Sequence, residues 1–167
     1  MNTIKINHKD QAKNYFMEGY NCAQSVFLAF SDEYDLDSDT ILRISSSFGG
    51  GMGRLREVCG AVTGMFMAAG MIFGYTNPRD QIQKSEHYTR VQYLAKKFEE
   101  KNNSIICREL LGIDNKRDIP VPEERTKEYY KKRPCFELVS MAAEILDEYI
   151  MEQKGEKVWQ DQQNGEE

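Results

Sequence analysis

The chain has 167 residues, a formal charge of −5, 27 acidic and 22 basic residues spread along its length, and four cysteines. No basic stripe runs through it, which excludes the usual footprint of a nucleic-acid binder, and four thiols are too few to staple a chain this long as a disulfide scaffold. The length suffices for one domain with a substantial core. The opening segment MNTIKINHKD has no apolar run of secretory type, so a reducing, cytoplasmic setting is expected.

Residues 1–7 read as a loose leader. A helix follows from His8 to about Glu18, with Ala12, Tyr15 and Phe16 on one side, and Gly19 interrupts it. Asn21 is a candidate N-cap for a helix through Cys22, Val26, Phe27 and Phe30; the two segments together would make one kinked helix or two. After a polar turn at Asp35–Asp39, Ser38 or Asp39 is expected to cap a short helix through Ile41, Leu42 and Ile44. Ser45–Ser47 then lead into the cluster Gly49, Gly50, Gly51 and Gly53.

From Val58 to Tyr75 no side chain is charged, and small residues recur at Gly60, Ala61, Gly64, Ala68, Ala69, Gly70 and Gly74. A helix apolar almost all round is normally buried on every side. Its glycines lower helix propensity but let neighbouring backbones come close. This segment is therefore expected to be the central helix, ending near Gly70–Gly74. Its length also admits comparison with a membrane span, with Gly60 and Gly64 as a GxxxG pair. No second such span exists and the other helices are amphipathic, so a soluble core helix is the reading, without membrane insertion.

Asn77 and Pro78 mark a restart, with a helix expected over Arg79–Glu100 whose apolar side runs through Ile82, Tyr88 or Val91, Leu94 or Ala95, and Phe98. Its charged face places it on the outside. Ser104 is expected to cap a short helix with Cys107, Leu110 and Leu111, stopped by Gly112. Ile113–Pro122 is a loop, 122–132 holds a short helix, and Pro134 opens the last one, through Cys135, Leu138, Val139, Ala142, Ile145, Leu146 and Tyr149. The expectation is an all-α, multi-helix bundle around a buried Gly/Ala-rich helix, with 1–153 a single helical domain and 154–167 a disordered tail.

The cysteines carry the chemistry. Cys22, Cys107 and Cys135 each fall in the expected first turn of a helix, where free N–H groups and the helix dipole favour a thiolate. Cys59 lies slightly deeper, beside the glycine loop. Arg54, Arg56 and Arg133 are near in sequence and are candidates for holding anionic sulfur. Convergence of these helix starts would put four thiols in one site.

Cys59-Gly60-Ala61-Val62-Thr63-Gly64 fits a CGAxxG motif, with a glycine-rich turn before it, Cys22 upstream, and Cys107 and Cys135 downstream. In this the chain resembles the small redox-active proteins known by the pattern C_GCAxxG_C_C, over roughly Gly19 to Leu146. The resemblance implies a redox or metal-cysteine protein and no particular substrate. A domain similar to this family in a haem-containing cytochrome is thought to carry an iron–sulfur centre on cysteines, which extends that option here by analogy.

Three functional readings follow. The first is a thiol/disulfide or electron-transfer site made by Cys22, Cys59, Cys107 and Cys135, with Cys59 the attacking thiol and a redox partner not encoded in the chain; this leaves open a thiol-dependent oxidoreductase. The second is a binding module for a metal, zinc or an iron–sulfur cluster, on the same four cysteines, although no tight CxxC-type pair is present. The third is a helical interaction protein whose cysteines are inert core residues. The small-residue helix also leaves room for a homodimer. The glycine loop matches no nucleotide-binding fingerprint. His8 and His87 read as solvated surface residues, Glu57 as an exposed or ion-paired carboxylate, and Met52, Met65, Met67 and Met71 as core filling.

Overall fold

A computed structural model describes residues 7–114 and 117–155. Among these the chain forms eight α-helices and no strand: α1 His8–Glu18, α2 Cys22–Ala29, α3 Ser38–Ser45, α4 Gly60–Phe73, α5 Gln81–Asn102, α6 Cys107–Leu111, α7 Lys127–Lys132 and α8 Cys135–Gln153. The turn Gly49–Met52 is helical in hydrogen bonding only, because Gly50 and Gly51 sit at φ +66°. The all-α expectation is met. The leader up to residue 6 and the predicted tail from residue 156 lie outside the described residues.

Local chemistry sets most boundaries. Asn7, placed in the leader by sequence, caps α1 by accepting the Asp10 N–H, and Gly19 ends the helix at φ +108°. α1 and α2 are therefore two helices. Asn21 and Gln24 form a reciprocal capping box at the start of α2, worth about 1 kcal/mol. α3 is capped by Asp37 rather than Ser38 or Asp39, because the Asp37 carboxylate reaches both the N–H and the hydroxyl of Thr40. α5 starts at Gln81 rather than Arg79. Asn77 accepts the Arg79 N–H in a turn of its own, and Asp80 then caps the helix through Gln83 N–H. Asn103, at φ +64°, ends it. Ser104 accepts the Ile106 N–H, and the N-cap position of α6 falls two residues later than expected, at Ile106, which makes no side-chain cap.

Helix α2 packs against α1, α4 and α8; α1 also runs along α8, and α5 lies on α4 and α8. The start of α4 is buried: Gly60, Ala61, Val62, Thr63, Gly64 and Met65 are all covered, as are Ala68 and Ala69. Its far end is not, with Met71 44% exposed, so the apolar run is not enclosed on every side along its whole length. Among the described residues no helix is long and apolar enough to cross a membrane. α5 buries only Leu94 and Phe98; Ile82 and Tyr88, assigned to its inner side by periodicity, are exposed.

Two glycines of α4 set its distance from α2. A Cβ on Gly64 would lie 2.7 Å from the Ala23 carbonyl oxygen, and one on Gly60 would lie 2.9 Å from the Phe48 carbonyl oxygen and 3.0 Å from Cys22 Cβ. Only hydrogen fits there, so the CGAxxG spacing draws the start of α2 onto the start of α4.

His8 is buried, not solvated. Its ring stacks on Phe30 at 4.2 Å between centroids, with Nδ1 2.5 Å from Asp147 and Nε2 2.8 Å from Asp32. Burial alone lowers its pKa, but the two carboxylates together raise it above the usual histidine value. A histidine with a carboxylate on each nitrogen is held as the imidazolium, in which both nitrogens donate.

Candidate functional site

All four cysteines line one cavity of about 430 Å³. Each heads a helix: Cys22, Cys107 and Cys135 are the first residues of α2, α6 and α8, and Cys59 is the N-cap of α4. Cys59 sits at the cap because Val58 does not begin the helix; it pairs with Ile106 in an isolated antiparallel bridge. The Cys59 N–H donates to Ile105 O at 2.8 Å, and the Cys107 N–H to Glu57 O at 2.6 Å. Two cysteines distant in sequence are thus tied together through their own main chains. All four are free thiols.

The glycine turn forms part of the cavity wall. Gly50, Gly51, Met52, Gly53 and Arg54 all have φ between +61° and +67°, and Arg56 follows at +59°. This is a turn of left-handed backbone, which costs about 1–2 kcal/mol at each non-glycine residue. Gly51 is required for a second reason, since a Cβ there would fall 2.5 Å from Cys107 Cβ.

The turn sends Arg54 and Arg56 to a single carboxylate. Both guanidinium groups reach Asp118 Oδ2, at 2.8 and 2.9 Å. Arg54 Nε also donates to Ile119 O, and the Asp118 N–H donates to Arg54 O. Arg133 pairs with Glu123, and Arg125 donates to the carbonyls of Phe16 and Tyr20, both at 3.0 Å. The segment expected to be a plain loop is in this way strapped over the cysteines, with Pro120, Pro122 and Glu123 on the cavity wall.

The four thiols differ in electrostatic setting. Cys22 and Cys135 are half-buried and share a hydrogen bond. That bond, with desolvation, pushes the Cys22 thiol well up. It pulls Cys135 down against its own burial, and Arg133, Arg125 and Arg56 add to the same effect. Of the two, Cys135 is thus the thiol that ionises more readily and Cys22 the one that holds its proton. Burial pushes the Cys59 thiol up to about 12, although the amides of Ala61 and Val62 pull the other way. Cys107 is also raised by burial, opposed by Arg56, whose Nη1 lies 3.7 Å from its sulfur. Cys135 acts electrostatically on each of the other three, which makes it the hub of the group.

Sequence reasoning named Arg54, Arg56 and Arg133. It did not name Arg125, which lies in the strap, or Tyr129, whose half-buried ring lines the cavity beneath the Arg125 guanidinium at 5.1 Å. Glu57 is exposed and pairs with Arg108 Nη1 at 3.1 Å.

No curated protein and no solved structure matches the chain. One family model does, and it spans residues 20–149, from the start of the capping box to the last turns of α8. The chain carries Cys59-Gly60-Ala61 where the pattern in the family's name reads Gly-Cys-Ala, and the other three cysteines flank that motif in the family's order. With four thiols at four helix starts and this match over most of its length, the chain belongs to the family described as "Putative redox-active protein (C_GCAxxG_C_C)".

Proposed function

We propose that the cavity is a thiol/disulfide or electron-transfer site whose working pair is Cys135 and Cys22. The observation that carries this is the placement of Cys22 and Cys135, each the first residue of its helix, half-buried on one cavity wall, where their interaction lowers Cys135 and raises Cys22. Cys135 is the attacking thiolate and Cys22 the resolving thiol; oxidation of this thiolate–thiol pair to a disulfide releases two electrons and one proton. The role of first nucleophile moves from Cys59 to Cys135, because Cys59 is 5% exposed and its thiol stays protonated at neutral pH. Cys59 and Cys107 form a second, more deeply buried layer of the same site. A reducing, cytoplasmic setting suits a pair that works from the dithiol state.

An iron–sulfur cluster on Cys22, Cys59, Cys107 and Cys135 is the second reading. It is favoured over zinc by spacing. No three of the four sulfurs lie within 4.8 Å of one another, whereas tetrahedral zinc with bonds of about 2.3 Å needs them about 3.8 Å apart. A cluster holds its ligands further apart around an inorganic core, and it would supply one-electron transfer. Four helix starts and the arginines suit four thiolates equally well.

Protein purified without oxygen separates the readings. A colourless, iron-free protein with four titratable thiols, which mild oxidation converts to a Cys22–Cys135 disulfide in peptide mapping, is the expected result. Stoichiometric iron with visible absorption that bleaches on reduction would replace it with the cluster reading. Thiols that react only after unfolding would leave four inert core cysteines.

A further inference from the structure

The cavity carries more positive charge than its own acids neutralise. Arg54, Arg56, Arg125 and Arg133 line it, and Glu123 is its single acidic lining residue. Asp118, behind the wall, binds Arg54 and Arg56. Four guanidinium groups thus face two carboxylates. Arg125 is the unmatched one: it donates to the neutral carbonyls of Phe16 and Tyr20, and no carboxylate pairs with it among the described residues. Arg56 adds an independent sign of a missing partner. It is 4% exposed, it lines the cavity, and its Nε has no hydrogen-bond acceptor among the described residues. A buried guanidinium donor left without an acceptor is costly, and an anion in the cavity would answer the unmatched charge of Arg125 beside it.

The size of the space limits what supplies that anion. About 430 Å³ lies within the range of small-molecule pockets. We propose that the substrate of this site is a small disulfide carrying carboxylates, bound by Arg125 and Arg56 so that one of its sulfurs meets Cys135. This rests on the thiol reading above and assigns its substrate class. The Cys135 thiolate attacks one substrate sulfur, the substrate S–S bond breaks, and the first thiolate leaves. The Cys22 thiol gives its proton to that leaving group, and its sulfur then attacks Cys135, expelling the second thiolate. The substrate gains two electrons and becomes two small thiols, one still ionised. The protein loses two electrons and holds the Cys22–Cys135 disulfide. The reduced protein is itself the reductant, so this half-reaction needs no other.

The test is stopped-flow oxidation of the reduced full chain by three disulfides of similar size: dithiodipropionate (a dianion), bis(2-hydroxyethyl) disulfide (neutral) and cystamine (a dication). Each rate is divided by that of free 1-thioglycerol, a neutral thiol related to none of the three, with the same disulfide, which removes intrinsic reactivity. The expected order is dianion, neutral, dication, with a gap of roughly tenfold or more at each step that shrinks as salt is added. Arg125→Gln should close most of the gap between dianion and neutral. Wild-type rates alone decide the matter should that variant fold poorly. Equal normalised rates, or a preference for the dication, overturn the charge selection and leave the thiol pair standing. Failure of all three disulfides to oxidise the protein overturns both.

Discussion

Replacing Gly64 by alanine separates what a helix prefers from what this packing allows. On propensity alone, glycine to alanine inside a helix gains about 1 kcal/mol. At Gly64 the new methyl would stand 2.7 Å from the Ala23 carbonyl oxygen, 3.0 Å from Val26 Cβ and 3.1 Å from Ala23 Cα. Two of these atoms belong to the main chain of α2, so no side chain can swing aside and the whole helix start must move. Overpacking of this kind costs about 1–3 kcal/mol. The net expectation is a loss of up to about 2 kcal/mol, which in a chain of this size lowers the melting temperature by several degrees. Gly70 is the control in the same helix. A Cβ there meets nothing within 4 Å, so Gly70→Ala should gain about 0.5–1 kcal/mol. Urea unfolding followed by helical circular dichroism measures both variants. Because Cys22 heads the displaced helix, Gly64→Ala should also slow formation of the Cys22–Cys135 disulfide, while Gly70→Ala leaves it alone. A Gly64→Ala protein as stable as Gly70→Ala would refute the close-approach argument.

Other outcomes test the electrostatics. The folded-state pKa of His8 lies above its unfolded value, so its stabilisation is complete below pH 6.5 and fades as pH rises through the raised value; urea unfolding from pH 6 to 9 should show this decline, and His8→Gln should flatten it. Iodoacetamide alkylation followed by peptide mass should label Cys135 first and Cys59 last at neutral pH. The pH midpoint for Cys135 should rise most in Cys22→Ala, which removes the largest cause of its depression, and less in Arg133→Gln. The Asp118 carboxyl is held below the usual range, with the Arg56 hydrogen bond the largest cause; Asp118→Asn should free the strap and speed its cleavage by trypsin at Arg117 or Arg125. A strap equally resistant in that variant would mean that the arginine pair does not hold it.

What could be read from sequence was local. Asn21, Gly19, Gly112 and Pro134 act within a few residues of themselves, and they delivered three of the four cysteines to helix starts. Cys59 was placed slightly too deep because Val58 looks helical in an apolar run, whereas Ile106, 48 residues away, pairs with it. Tandem caps deceive in the same way: Asn77 signals a helix start, but Asp80 supplies it. The reversal for His8 depends on Asp32, in the turn after α2, and Asp147, on α8, both remote from it in sequence. The strap gave no sequence signal beyond its prolines, since its anchors are Arg54 and Arg56 on the glycine turn. Arg125 was equally silent, because its acceptors are carbonyl oxygens that every residue possesses.

Cys22 and Cys135 open helices at opposite ends of the sequence, and that has a topological consequence. A bond between them would turn most of the chain into a covalent ring of about one hundred residues, for which chain-entropy arguments give a stabilisation of about 4.7 kcal/mol. By the same cycle, the folded protein would favour its own oxidation over that of the unfolded chain by on the order of 100 mV. The melting curve would then serve as a gauge of redox state. Unfolding in a reducing medium would be the step that makes the dithiol form hardest to oxidise again.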